Sequence, residues 1–272
     1  MKNRPWLVSY SLWVAAFVLT GASAVYQKMT GPSYAVKGSV SLDGQEIAFK
    51  LPRSHGGPGD AEISLQVPST ELAGVLRLRR FPSYDEWRQR PLERVGDLLV
   101  ARIPHQPPAG KVMYQISLAR AGGVPVPLTA EPVTIRFRGA MPGWVLVAHV
   151  VFIFAGMLLS TRTGFEALRG GRPTHTLTVA TLTSLMIGGL IFGPIVQKYA
   201  FGAFWMGWPF GHDLTDNKIA VAVFFWVLAV WRTTKGRVAA GWVLTAAVVT
   251  LVIWLIPHSV LGSELDYTQM PS

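Results

Sequence analysis

The 272-residue chain contains no cysteine. That excludes disulfides, thiolate metal sites, Fe–S clusters and c-type haem attached through CxxCH. A β domain outside the cytoplasm must then be held by its core alone. Charge is also sparse: Asp, Glu, Lys and Arg make up 15% of the chain, against roughly 25% in soluble domains. No Walker loop, GxSxG or HExxH sequence occurs, so these signatures of phosphate binding, serine hydrolysis and zinc proteolysis are missing.

Half of the residues are hydrophobic, and they gather in blocks at residues 6–24, 144–160, 177–196, 219–231 and 238–256. A helix needs about 20 residues to cross the hydrocarbon core. The first, third and fifth blocks satisfy this outright, and the second does so if it starts near Met141. The fourth must reach back to Leu214 and on to Thr233. These blocks predict a membrane α-helical bundle of five spans.

The net charge of +10 is distributed as a membrane protein distributes it. Lys2 and Arg4 precede the first span. Arg162, Arg169 and Arg172 follow the second, and Arg232, Lys235 and Arg237 follow the fourth. Alternating spans put all three clusters on one side, which is the positive-inside pattern. It predicts a bacterial inner-membrane protein with a cytoplasmic N-terminus. Residues 26–140, 197–218 and the tail from His258 are then periplasmic. This distribution argues against nucleic acid and for membrane lipid and other membrane or periplasmic subunits as partners. Ala22-Ser23-Ala24 resembles a signal-peptidase site, but the apolar stretch before it, about 19 residues, exceeds a usual signal core. Residues 1–28 are therefore read as an uncleaved signal anchor.

Residues 33–138 predict an inserted all-β sandwich of immunoglobulin or fibronectin type III type, with about seven short strands. Asp43-Gly44 is a hairpin signal, and the last strand, 133–138, leads into the second span almost without linker. The segment 81–94 interrupts the strand pattern and reads as a loop with a short helix. It is either a surface crossover or a partner-docking element, because Tyr84 and Trp87 sit among charges. Residues 141–272 would complete the bundle, with a polar loop and tail on its outer face.

That outer face collects the unusual polar residues. His212, Asp213, Asp216, Asn217 and Lys218 approach the fourth span, and Glu264, Asp266 and Tyr267 lie in the tail. Asp213 or Thr215 can cap the fourth helix, and Asp216 and Lys218 can partly neutralise each other. Trp205 and Trp208 fit an interfacial aromatic belt or a lid over a ligand. His149 is the one ionisable residue well inside a span, which makes it a functional candidate. The rival reading is a neutral imidazole bonded to a neighbouring helix. Together His149, His212 and His258 could bind zinc, copper or iron, although their spacing matches no local metal motif. A transmembrane b-type haem needs a second histidine at matching depth, and the other spans carry none in their middles.

The segments HQPPAGKVMYQISL, VTIRFRGAMPGWVLVAHVVFIFAGMLLSTRTG, FWMGWPFGHDLTDNK and IPHSVLGSELDY together resemble a group of bacterial inner-membrane proteins of unassigned activity. These proteins carry an extracytoplasmic β-sandwich. The resemblance covers roughly residues 103–267. It implies an architecture and a polar outer face, and it lends no catalytic residue. The sequence thus supports a non-enzymatic subunit or binding protein with a polar site on the periplasmic face. The alternative is a metal-dependent membrane enzyme or redox component using the three histidines.

Overall fold

A computed structural model describes residues 5–170, 175–234, 239–257, 262 and 264–269. They form two compact units. The first is helical, comprising α1 (Pro5–Thr30), α2 (Gly143–Leu168), α3 (His175–Leu185), a π-helical stretch (Met186–Phe192), α4 (Gly193–Phe201), α5 (Leu214–Thr233) and α6 (Ala240–Leu255). Among the described residues, four segments are long and apolar enough to cross a membrane: Trp6–Thr30, Gly143–Leu168, His175–Phe201 and Leu214–Thr233. The limits of α5 are those the length argument required. α6 has 16 residues, about 24 Å at 1.5 Å per residue, which is shorter than a hydrocarbon core of roughly 30 Å.

α2 is the hub, packing against α1, α3, the π-helical stretch and α6. Small residues permit this. Ala16, Thr20 and Ser23 are the buried residues of α1, at i, i+4 and i+7 on one face. On α2, a Cβ at Gly156 would stand 2.7 Å from a Leu185 methyl carbon, so Gly156 faces the end of α3. Trp226 is fully buried and donates its indole N–H to Thr250 Oγ1 at 2.8 Å. That bond satisfies the one polar atom of a large core side chain.

One expectation is corrected. Arg162 does not lie in a loop, because α2 continues to Leu168. Its side chain is buried, donates to Glu166 at 2.9 Å and to Ser9 Oγ at 3.4 Å, and lies over the Trp13 ring. An i,i+4 carboxylate makes a buried guanidinium tolerable there. Lys2, Arg4, Arg172, Lys235 and Arg237 lie outside the described residues.

The second unit is built on Ser33–Ala140 and is all β. Its strands are β1 (Val36–Leu42), β2 (Gln45–Leu51), β3 (Ser54–Gly56), β4 (Ala61–Gln66), β5 (Leu72–Phe81), β6 (Arg88–Pro91), β7 (Glu93–Val95), β8 (Leu98–Ile103), β9 (Lys111–Arg120), β10 (Val126–Pro127) and β11 (Val133–Arg138). β1 and β2 form a hairpin whose Asp43 and Gly44 have φ of 52° and 74°. Two consecutive positive φ values are what a tight type I′ turn demands. The other sheets run β3-β11-β9-β5-β6, with β10 against β9, and β4-β8-β7. Alternating apolar residues from all three sheets share one core, including Ile47, Leu65, Leu76, Ile103, Ile116 and Phe137. Fully buried Tyr114 donates its hydroxyl to Pro52 O, and burial raises its pKa.

Segment 81–94 differs from expectation: it contains no helix. Residues 88–91 pair with β5 as an edge strand and 93–95 pair with β8. The prolines at 82 and 91 disfavour a helix interior, and pairing with a long neighbour supplies backbone partners. Tyr199–Gly202 and, among the described residues of the tail, 264–269 also belong to this unit. The tail therefore does not simply extend the helical unit.

Candidate functional site

The polar residues before α5 are used up in holding their own loop. Asp213 is the N-cap of α5 and accepts from Thr215 N–H at 2.8 Å. Its other oxygen accepts from Gln197 at 3.3 Å. One carboxylate oxygen of Asp216 accepts from the amides of Met206 (2.7 Å) and Gly207 (3.1 Å), and Asn217 Oδ1 accepts from the amide of Trp208 at 2.7 Å. A Cβ at Gly207 would meet Asn217 Oδ1 at 2.7 Å and Asp216 Cβ at 2.8 Å, so only glycine lets the loop come this close. The result is a rigid loop exposing Phe204, Trp208 and Phe210. Trp205 donates to Trp208 O at 3.1 Å.

Lys218 does not pair with Asp216. Its ammonium donates to the carbonyls of Ile256 (3.0 Å) and Pro257 (3.3 Å), at the end of α6. His149 Nδ1 lies 2.8 Å from Gly188 O in the π-helical stretch. A carbonyl only accepts, so that nitrogen carries the proton. His212 is exposed, and His258 lies outside the described residues. Among the described residues, no group of three or more His, Asp or Glu could hold a metal. Glu264, Asp266 and Tyr267 fall in the β unit, while Asp213, Asp216, Asn217 and Lys218 fall in the helical one. The sequence-derived cluster thus belongs in part to each of the two units.

A different set of side chains converges on the β unit. Arg77 and Arg79 share one face of β5. Their guanidinium carbons lie 4.3 and 4.8 Å from the centre of the Trp87 ring. Arg79 also reaches Met113 Sδ at 3.9 Å. Arg88 and Arg90 of β6, both exposed, pair with Leu78 and Leu76 and so lie on the opposite face of the sheet. Among the described residues, none of these four arginines has a carboxylate ion-pair partner. By contrast, Arg102 pairs with Glu62 and Glu93, and Arg120 with Asp43 and Glu71. Beside the Trp87 face the 81–87 segment is locked in place. Arg80 holds Asp85 through two bonds of 2.7 and 2.8 Å, and Ser83 Oγ donates to Arg80 O and accepts from Asp85 N–H. The bond from Arg80 keeps the Asp85 carboxyl below the ordinary carboxylate range. Tyr84 projects from this segment, 89% exposed.

The arginines of β5 were not singled out from the sequence, although the order Arg77-Leu78-Arg79 carries the signal. Alternation on a strand puts both cations on the face opposite the core. No protein-family model matches the chain, and no curated protein is a significant match to it.

Proposed function

We propose that this chain is a non-enzymatic subunit of the bacterial inner membrane, whose β unit docks an acidic protein partner through Trp87 and the arginines around it. The reading has five spans, a cytoplasmic N-terminus, and an immunoglobulin- or fibronectin type III-like sandwich on the periplasmic side. One observation carries it: Arg77 and Arg79 both lie over the Trp87 ring and, among the described residues, neither forms an ion pair with a carboxylate. Stacking fixes the guanidinium planes in advance, so that N–H groups at their outer edges can meet a ligand's carboxylates. Arginine and tryptophan are also the residues on which interface energy concentrates. The non-enzymatic part of the reading is supported by how the polar groups of the helical unit are used. Asp213, Asp216, Asn217, Lys218 and His149 all hold backbone groups.

The test uses the whole chain in lipid nanodiscs and a fluorescein-labelled octaglutamate probe, read by polarisation. Binding should weaken with salt and fall by about tenfold or more in Arg77→Ala/Arg79→Ala, as loss of two charge-assisted contacts implies. Equal binding by the folded double variant would refute the reading.

A further inference from the structure

The tail bound to the β unit lies in a site with its own chemistry. Residues 264–267 read Glu-Leu-Asp-Tyr. Glu264 pairs with Lys111. The amides of Leu265 and Tyr267, two residues apart, donate to Ala109 O and Pro82 O, each at 3.1 Å. The two acceptors stand on separate segments of the β unit, so the tail is clamped by two backbones, and it turns into a short 3₁₀ helix at Tyr267–Gln269. Tyr267 is buried. Its ring lies 4.9 Å from the Arg80 guanidinium carbon, and its hydroxyl donates to Gln106 Oε1 at 2.8 Å.

The tyrosine pocket is held in shape by groups outside the tail. Asp85 fixes Arg80 through two bonds. The Gln106 amide nitrogen donates to Pro104 O and His105 O at 3.0 and 2.9 Å, which leaves its oxygen for the phenol. The pocket wall includes Gly110, where a Cβ would collide with the Tyr267 hydroxyl oxygen. Ala109, at φ 69°, offers its carbonyl to Leu265. Each element that reads the segment thus has its own support within Ser33–Ala140.

We propose that this is a recognition site for a partner segment of the pattern Glu-x-x-Tyr, and that residues 264–267 are its resident occupant. Lys111 reads the acid, Arg80 and Gln106 read the tyrosine, and two carbonyls read the backbone. The resident segment competes in cis, so a partner engages only by displacing it. Covalent attachment gives an intramolecular competitor an effective concentration that can reach order millimolar. A partner that succeeds must therefore bind well below that, through further contacts of its own. The site shares no residue with the Trp87 platform, so either proposal can fail alone.

The probe is a fluorescein-labelled peptide of residues 262–272, used with whole-chain protein in nanodiscs. Tail-released protein, Glu264→Lys/Tyr267→Ala, should bind it saturably. The same peptide with alanine for tyrosine should bind about tenfold or more weaker, as expected when a buried, hydrogen-bonded aromatic anchor is removed. Unaltered protein should bind the native peptide about tenfold or more weaker than tail-released protein, because the site is occupied. Arg77→Ala/Arg79→Ala introduced into tail-released protein should leave peptide binding intact while octaglutamate binding falls. A second measurement does not depend on the released variant folding. Excess peptide added to unaltered protein should speed amide exchange at Leu265 and Tyr267. Unchanged exchange at saturating peptide, or equal binding of the native and alanine peptides, overturns the proposal. Peptide-sensitive dimers of the unaltered chain would overturn it in favour of tail exchange between copies.

Discussion

Gln27 and Lys218 donate to the same acceptor, the carbonyl oxygen of Ile256, at 3.3 and 3.0 Å. Gln27 also donates to Trp254 O at 2.6 Å and Lys218 to Pro257 O at 3.3 Å. The last carbonyls of a helix have no partner within the helix, and α6, at 16 residues, is shorter than the four helical segments long enough to cross a membrane. Side chains from α1 and α5 supply what its own chain cannot. The ammonium also complements the negative end of the α6 dipole.

Removing that ammonium should therefore destabilise the helical unit. Lys218→Met keeps the aliphatic stem and loses both bonds, and it should cost about 1.5–3 kcal/mol, the range for hydrogen bonds to charged groups. Gln27→Leu should cost about 1 kcal/mol by the same reasoning. Thermal unfolding in detergent would measure both. No loss in Lys218→Met would mean that water or lipid serves these carbonyls equally well.

The loop before α5 gives a second prediction. Asp216→Ala frees the amides of Met206 and Gly207, while Asp216→Asn keeps one acceptor oxygen. The alanine variant should cost about 1–3 kcal/mol as an unsatisfied buried pair, and the asparagine variant less. Amide exchange at residues 206 and 207 should rise in the same order. Protection unchanged in the alanine variant would show that the loop is held by other means.

These assignments mark what the sequence disclosed. The limits of α5, the N-cap at Asp213, the Asp43-Gly44 hairpin and the final strand Val133–Arg138 are local. Each depends on periodicity or turn chemistry within a few residues, so each was legible. The partners of Glu264 and Tyr267 were not: Lys111 and Gln106 stand far away in sequence, and nothing near residue 264 points to them. Residues 88–91 look like a loop in isolation and become a strand only because β5 is long enough to pair with them. The polar cluster near α5 looked like a ligand site because helix caps and ligand sites use the same residue types.

Acid should weaken the tyrosine pocket through Asp85. Its folded pKa lies below its unfolded value, chiefly because of the bond from Arg80. The stabilising contribution is then complete above the unfolded value of about 3.9 and is lost as pH falls through the lower folded value. Asp85→Asn lacks this contribution at every pH. The stability gap between native and variant protein should therefore narrow as pH drops from about 5 toward 2. A gap that stays constant with pH would show that the pair contributes nothing in water, as many exposed ion pairs do.

His149 decides between a structural and a metal-binding reading of the helical unit. Its Nδ1–H meets Gly188 O within the π-helical stretch, where the usual i→i−4 bonding is interrupted. Gly188 leaves no room for a larger residue, since a Cβ there would lie 2.8 Å from the backbone nitrogen of Ile153. The imidazole thus bridges α2 to a backbone carbonyl of the π-helical stretch. His149→Leu removes the donor and should cost about 1–2 kcal/mol, a typical loss when a partly buried carbonyl loses its partner. His149→Asn retains an N–H donor and should recover part of that loss if its shorter side chain reaches. A metal role predicts something else. The leucine and asparagine variants would both lower the metal content of purified protein, and added zinc or copper would raise the unfolding temperature of native protein but not of the variants. Equal metal content in all three proteins, with the stability order His, Asn, Leu, is the expected outcome. Metal lost together with the histidine would return the site to the enzymatic alternative.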